Sequence, residues 1–126
     1  MEGLITSIVL AAEDAAYLAR FYAALLRVQA VAGLSASHWR VPWPCGGHLE
    51  IYTPSRSRPQ PQQNGRLALC LRRSAHGADA MAQLEDWIAE ATGLGATAAE
   101  PPRQEPFGTE VWLLDPEGNR LLLLVG

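Results

Sequence analysis

A chain of 126 residues is long enough for one domain to bury its core without disulfide or metal staples. Apolar residues make up 48% of it, but no apolar run approaches the roughly 20 residues of a membrane helix, so the sequence reads as that of a soluble protein. The formal net charge of −3 argues against a nucleic-acid groove or a polybasic membrane patch, and two cysteines without a secretory leader read as free thiols in a cytoplasmic protein.

Residues 5–11 form a short run rich in β-branched residues and read as a strand. Asp14 is a fitting N-cap for the helix that follows, in which Tyr17, Leu18, Phe21, Tyr22, Leu25 and Leu26 recur at three-four spacing. Residues 28–32, 37–41 and 47–53 read as three further strands, punctuated by Gly33 and by Pro42, Pro44, Gly46 and Gly47. The polar, proline-broken stretch 54–65 cannot be a central strand and reads as a connector.

The order then repeats. Residues 66–72 read as a strand, and Met81, Leu84, Trp87, Ile88 and Ala91 mark a helix within 76–92 that Gly93 and Gly95 should stop. Strands are expected near 96–99, 109–114 and 120–125, with 101–108 as a loop. The expected class is therefore α+β, with two βαβββ modules in tandem in a single domain of residues 1–126: module one over 4–53, connector 54–65, module two over 66–126.

Two terminal motifs carry a resemblance. One is Ile5-Thr6-Ser7-Ile8-Val9-Leu10 leading to Glu13-Asp14 and a helix with Phe21-Tyr22; the other is Asp115-Pro116-Glu117-Gly118-Asn119 leading into Leu121–Val125. Together they resemble the first and last strands of the vicinal oxygen chelate superfamily, which includes glyoxalase I, bleomycin-binding proteins, fosfomycin-modifying enzymes and extradiol dioxygenases. The resemblance implies two curved sheets around a cleft and four metal-ligand positions, which fall on Ser7, Glu50, Arg66 and Leu122. Only Glu50 is a good donor: leucine has none, serine is weak, and a guanidinium has no lone pair and repels a cation. No metal and no cofactor are therefore expected. With the sequence ending at Val125-Gly126, the extension that serves fosfomycin chemistry in that superfamily is not expected here.

Period-two alternation extends the implied cleft wall. His48 and Tyr52 flank Glu50, Val9 follows Ser7, and Ala68 and Cys70 follow Arg66. Glu110, Trp112 and Leu114 share a face, and Trp39 and Trp43 are placed near the mouth. The candidate ligand-binding set is Trp39, His48, Glu50, Tyr52, Arg66, Glu110 and Trp112. Glu50 and Arg66 read either as a structural ion pair or as a ligand-orienting one. His38 and His76 read as surface and helix-entry residues, and Asp115 to Asn119 as a structural turn.

The resemblance implies a metal-independent small-molecule-binding protein of the bleomycin-binding type, with a ligand stacked on aromatic residues and oriented by charge. The alternative is a glyoxalase-like lyase or isomerase in which Arg66 polarises a small carbonyl compound and Glu50 or His48 moves the proton. An accessory domain with a filled cleft is a third reading. The partners expected are a small molecule and a second copy of the chain in a homodimer, with no nucleic acid and no membrane.

Overall fold

In the computed structural model, which describes residues 3–57, 61, 67–77 and 79–126, the helix and strand periods are realised in two units that divide at Gln62 and Gln63. The first unit begins with β1 (Ser7–Ala11), followed by α1 (Ala15–Leu26), β2 (Val31–Ala32), β3 (His38–Pro42) and β4 (His48–Tyr52). Asp14 caps α1 as its sequence position suggests, its Oδ1 accepting the Tyr17 N–H at 3.1 Å. Leu18, Phe21, Tyr22 and Leu25 are buried on the inner face of α1. Tyr17 is not: it stands on the solvent side, 43% exposed, with the Arg20 guanidinium 5.8 Å from its ring. Ala15, Ala19 and Ala23, all buried, let the helix settle closely on its sheet.

The four strands order as β1-β4-β3-β2. β1 runs parallel to β4, while β4 and β2 run antiparallel to β3. Val41, Leu49 and Ile51 are completely buried on the α1 side, so the alternate residues of each strand form the other, open face. β2 is only two residues long, shorter than the 28–32 run suggested.

The second unit contains β5 (Leu69–Arg73), α2 (Ala80–Leu94), β6 (Thr97–Ala98), β7 (Arg103–Glu105), β8 (Gly108–Leu114) and β9 (Arg120–Val125). Asp79 repeats the role of Asp14, accepting the Ala82 N–H at 3.0 Å. Gly93 does not stop α2; the helix runs on to Leu94 and ends at Gly95, whose φ of 126° is the conformation a side chain would resist. The sheet orders as β5-β9-β8-β6, with β5 parallel to β9 and β7 paired to β8 beside β6. Leu121, Leu123, Val125, Val111 and Leu113 are buried with Leu84, Trp87 and Ala91 of α2.

β7 corrects the expectation of a loop over 101–108. It has no apolar alternation of its own and exists through pairing, with Arg103 opposite Glu110. Among the described residues the architecture is thus α+β, two helices on two mixed sheets, with one more strand than the double βαβββ pattern contains. Among the described residues no helix is long and apolar enough to cross a membrane.

Candidate functional site

The open face of the first sheet gathers its polar side chains around Glu50. Antiparallel register sets Arg40 directly across from Glu50 and His38 across from Tyr52, and the parallel pairing sets Val9 on the other side of Glu50. The Arg40 Nε–H reaches both carboxylate oxygens, at 2.9 and 3.1 Å, and His38 Nε2 lies 3.3 Å from Oε1. The Glu50 side chain is only 18% exposed, so leaving it without these partners would be costly in a way it is not for a surface carboxylate.

Around this group lies a hollow of about 380 Å³ lined by Val9, Leu34, Ser35, His38, Glu50 and Tyr52. That volume falls within the ~300–1,000 Å³ of pockets that take small molecules. The walls are mixed. Val9 and Leu34 are apolar and exposed, at 65% and 84%, while Ser35 and Tyr52 bring hydroxyls.

Two of the seven expected ligand residues, Glu50 and Tyr52, line this hollow. His48 shares their strand face but sits further along, between Ser7 and Pro42. Trp39 requires a correction. It pairs with Ile51, whose side chain is completely buried on the α1 side, so strand parity turns the indole away from Glu50. Its Nε1 is buried without a hydrogen-bond partner among the described residues. Arg66 lies outside the described residues, and the carboxylate it was expected to meet is held by Arg40 and His38.

His38 also departs from expectation. Read from sequence as a surface residue, it lines the hollow with its side chain 14% exposed. The signal was present in the alternation His38-Trp39-Arg40, which puts residues 38 and 40 on one face.

The second unit has its own open face. Glu110 is 7% exposed, and its Oε1 takes the Arg103 Nη2–H at 2.6 Å. Arg103 also lies 3.2 Å from Glu100 and 3.5 Å from Glu105. Trp112 is covered by the Arg120 guanidinium, 4.4 Å from its ring, a cation–π contact that uses the aromatic face expected to stack on a ligand. Leu122 lies between Cys70 and Trp112 in the register.

Cys70 lies on this face as well. Partial burial pushes its thiol above the ordinary range, the Glu110 carboxylate pushes it further, and Arg72 offsets part of the rise. A raised pKa means less thiolate at a given pH, which is the opposite of an activated nucleophile. Iodoacetamide at pH 8.5 is therefore expected to alkylate Cys70 in the folded chain several-fold more slowly than in the urea-unfolded chain. Glu110→Gln should recover part of the rate. Equal rates in the two states would show that the thiol is not held back.

The donor set at the four positions where the resemblance leads one to expect metal ligands does not suit a divalent ion. Leu122 has no lone pair to offer, Arg66 is a cation, and the Glu50 carboxylate already accepts from the Arg40 guanidinium, with the His38 imidazole 3.3 Å away. Among the described residues no three His, Cys, Asp or Glu side chains cluster as a metal site would require.

Comparison with solved structures places this geometry in a family setting. A glyoxalase/bleomycin resistance protein from Albidiferax ferrireducens is 25% identical, with a TM-score of 0.72 over 95% of this chain and 96% of that one. A fosfomycin resistance protein from Listeria monocytogenes shares 14% identity, with a TM-score of 0.73 over 100% of this chain and 95% of that one. A lactoylglutathione lyase from Agrobacterium tumefaciens is 20% identical, with a TM-score of 0.63 over 98% and 94%. No curated protein matches the sequence. The model of the glyoxalase-like domain matches residues 7–124, nearly the entire chain, and with both sheets in the corresponding fold the protein belongs to the glyoxalase-like domain family.

Proposed function

We propose that this member of the family binds a small molecule without a catalytic metal, and that the Glu50 hollow holds the ligand. The observation that carries the reading is the occupation of Glu50. The one good donor among the four superfamily positions is neutralised by Arg40 at 2.9 Å and approached by His38 Nε2 at 3.3 Å, within a hollow of ligand size. A divalent ion entering there would have to displace a guanidinium to gain a single carboxylate. Glu50 and Tyr52 would contact the ligand directly, with His48 nearby on the same strand face. Glu110 and Trp112 are the candidates on the second unit's own open face. The protein would work as a homodimer in the cytoplasm; the apolar, exposed Ile5 and Val9 at the β1 end of the first sheet favour coverage by another chain.

Elemental analysis of the purified protein should find far less than one metal per chain, and Ni²⁺, Zn²⁺, Mn²⁺ or Fe²⁺ should not raise its melting temperature. One metal per chain, lost on Glu50→Ala, would overturn the metal-free reading. A thermal-shift screen of small acids, aldehydes, alcohols and amines should give hits that Glu50→Gln weakens. Hits indifferent to that substitution would put the ligand elsewhere.

A further inference from the structure

We infer that the turn from Gly33 to His38 makes the Glu50 hollow a site for an uncharged ligand that donates a hydrogen bond, with His38 as its positioning residue. The inference rests on the proposal that this hollow is where the ligand binds. Its first support is the way the imidazole is held. The Gly33 N–H donates to the His38 carbonyl at 2.8 Å, the His38 N–H donates to the Ser35 carbonyl at 3.2 Å, and the Leu34 N–H donates to His38 Nδ1 at 2.8 Å. A ring nitrogen that accepts an N–H carries no proton, so His38 is the neutral tautomer with its proton on Nε2. Nε2 is the nitrogen that faces Glu50 Oε1 at 3.3 Å. The Nε2–H of His38 therefore stands beside the Glu50 carboxylate.

Gly33 makes the space for this arrangement. A Cβ there would stand 2.4 Å from His38 Nδ1 and 2.5 Å from Cγ, inside any permissible contact, so a side chain at residue 33 would push the ring off Glu50. The position needs glycine for room beside the ring.

Charge supplies the second support. Glu50 contributes one negative charge and Arg40 one positive charge, His38 is neutral, and the remaining lining residues, Val9, Leu34, Ser35 and Tyr52, carry no charge at neutral pH. A cationic ligand would find the carboxylate already compensated, and an anionic one would face that carboxylate at close range. Oε1 already meets both Arg40 and His38, whereas Oε2 meets, among the described residues, only the longer arm of the Arg40 contact at 3.1 Å. Each carboxylate oxygen carries two lone pairs, which leaves Oε2 able to accept an O–H or N–H from a ligand. Val9, Leu34 and the Tyr52 ring supply apolar surface beside it. Alcohols, phenols and amides with an apolar body fit this description.

The test uses the full-length ¹⁵N-labelled protein and three probes of equal size: benzyl alcohol, benzylammonium and benzoate. In the free protein the His38 ring nitrogens should show the neutral tautomer protonated at Nε2. Benzyl alcohol should shift the Leu34 and Tyr52 amides and bind about ten-fold more tightly than either charged probe. Gly33→Ala should disturb the tautomer and reduce that preference to about two-fold or less. His38→Gln should retain it, because a carboxamide can accept from Leu34 and turn an N–H toward Glu50. A proton on Nδ1, or benzylammonium or benzoate binding best, would overturn the inference while leaving the hollow a binding site. No probe shifting the residues of the hollow would overturn the binding reading itself. The tautomer and the probe ranking are both read on the unsubstituted protein, so neither depends on a variant folding.

Discussion

Replacing Asp115 by alanine is expected to lower the free energy of unfolding by about 3 kcal/mol in urea melts followed by tryptophan fluorescence. Asp115 is 3% exposed and sits where β8 turns back into β9. Its Oδ1 accepts the backbone N–H groups of Glu117 at 2.8 Å and Asn119 at 2.9 Å, and the Asn119 side-chain amide reaches both oxygens, at 3.1 and 2.9 Å. The backbone closes the same turn, with Asp115 N–H to the Asn119 carbonyl at 2.8 Å and Gly118 N–H to the Asp115 carbonyl at 2.9 Å. Alanine would leave two backbone donors and an amide facing nothing, and water has little room to replace a side chain so enclosed. The turn also fixes the pairing of Leu114 with Arg120, from which the whole β8–β9 register follows. Asp115→Asn keeps one oxygen but points an amide at the Asn119 amide, so about half the loss is expected. A loss below about 1 kcal/mol for alanine would mean that the turn holds by its backbone alone.

Gly47→Ala should be as damaging, also by about 3 kcal/mol, and should disturb the Glu50 hollow as well. Gly47 has a φ of +81°, and a Cβ placed on it would lie 2.3 Å from the Thr6 carbonyl oxygen and 2.9 Å from Trp43 Cδ1. The first of these neighbours is backbone at the threshold of β1, so relief would require β1 to move. β1 carries Val9, a wall of the hollow, into register with Glu50. Gly46→Ala provides the comparison. Its φ is +106°, but nothing lies within 4 Å of the added Cβ, so only the conformational penalty of about 1–2 kcal/mol applies. The difference between the two losses measures the close approach of β4 to β1. Equal losses would show that the approach constrains nothing.

The elements were legible in the sequence wherever one period dominated. The stripe through Leu18, Phe21, Tyr22 and Leu25 and the alternation through His48, Glu50 and Tyr52 each specify a face without reference to any other strand. What stands opposite Glu50 was not legible, because register is a relation between strands. Here it is set by the geometry of the link between β3 and β4, where the Trp43 N–H meets the Gly47 carbonyl at 2.9 Å. Arg40 therefore went unremarked and His38 read as a surface residue, while Trp39 attracted attention for its ring although its parity assigns it to the α1 side. β7 was hidden for a related reason: Arg103-Gln104-Glu105 has no apolar signal, and its strand character comes from Glu110 and the edge of β8.

The parallel pairings have a consequence for how the chain finds its fold. In each unit the opening strand finds its partner in the closing one: Ile8 lies beside Leu49, and Leu71 beside Leu123. The hairpins β3–β4 and β8–β9 can form from neighbouring sequence, but β1 and β5 must wait until nearly all of their own unit has been gathered. High contact order of this kind slows folding, and the rate-limiting event should be docking of the opening strand onto a preassembled hairpin and helix. During that wait the apolar Ile8 and Val9 of β1 are an unpaired segment open to the wrong partner, so crowding of nascent chains endangers this protein before its native state is reached.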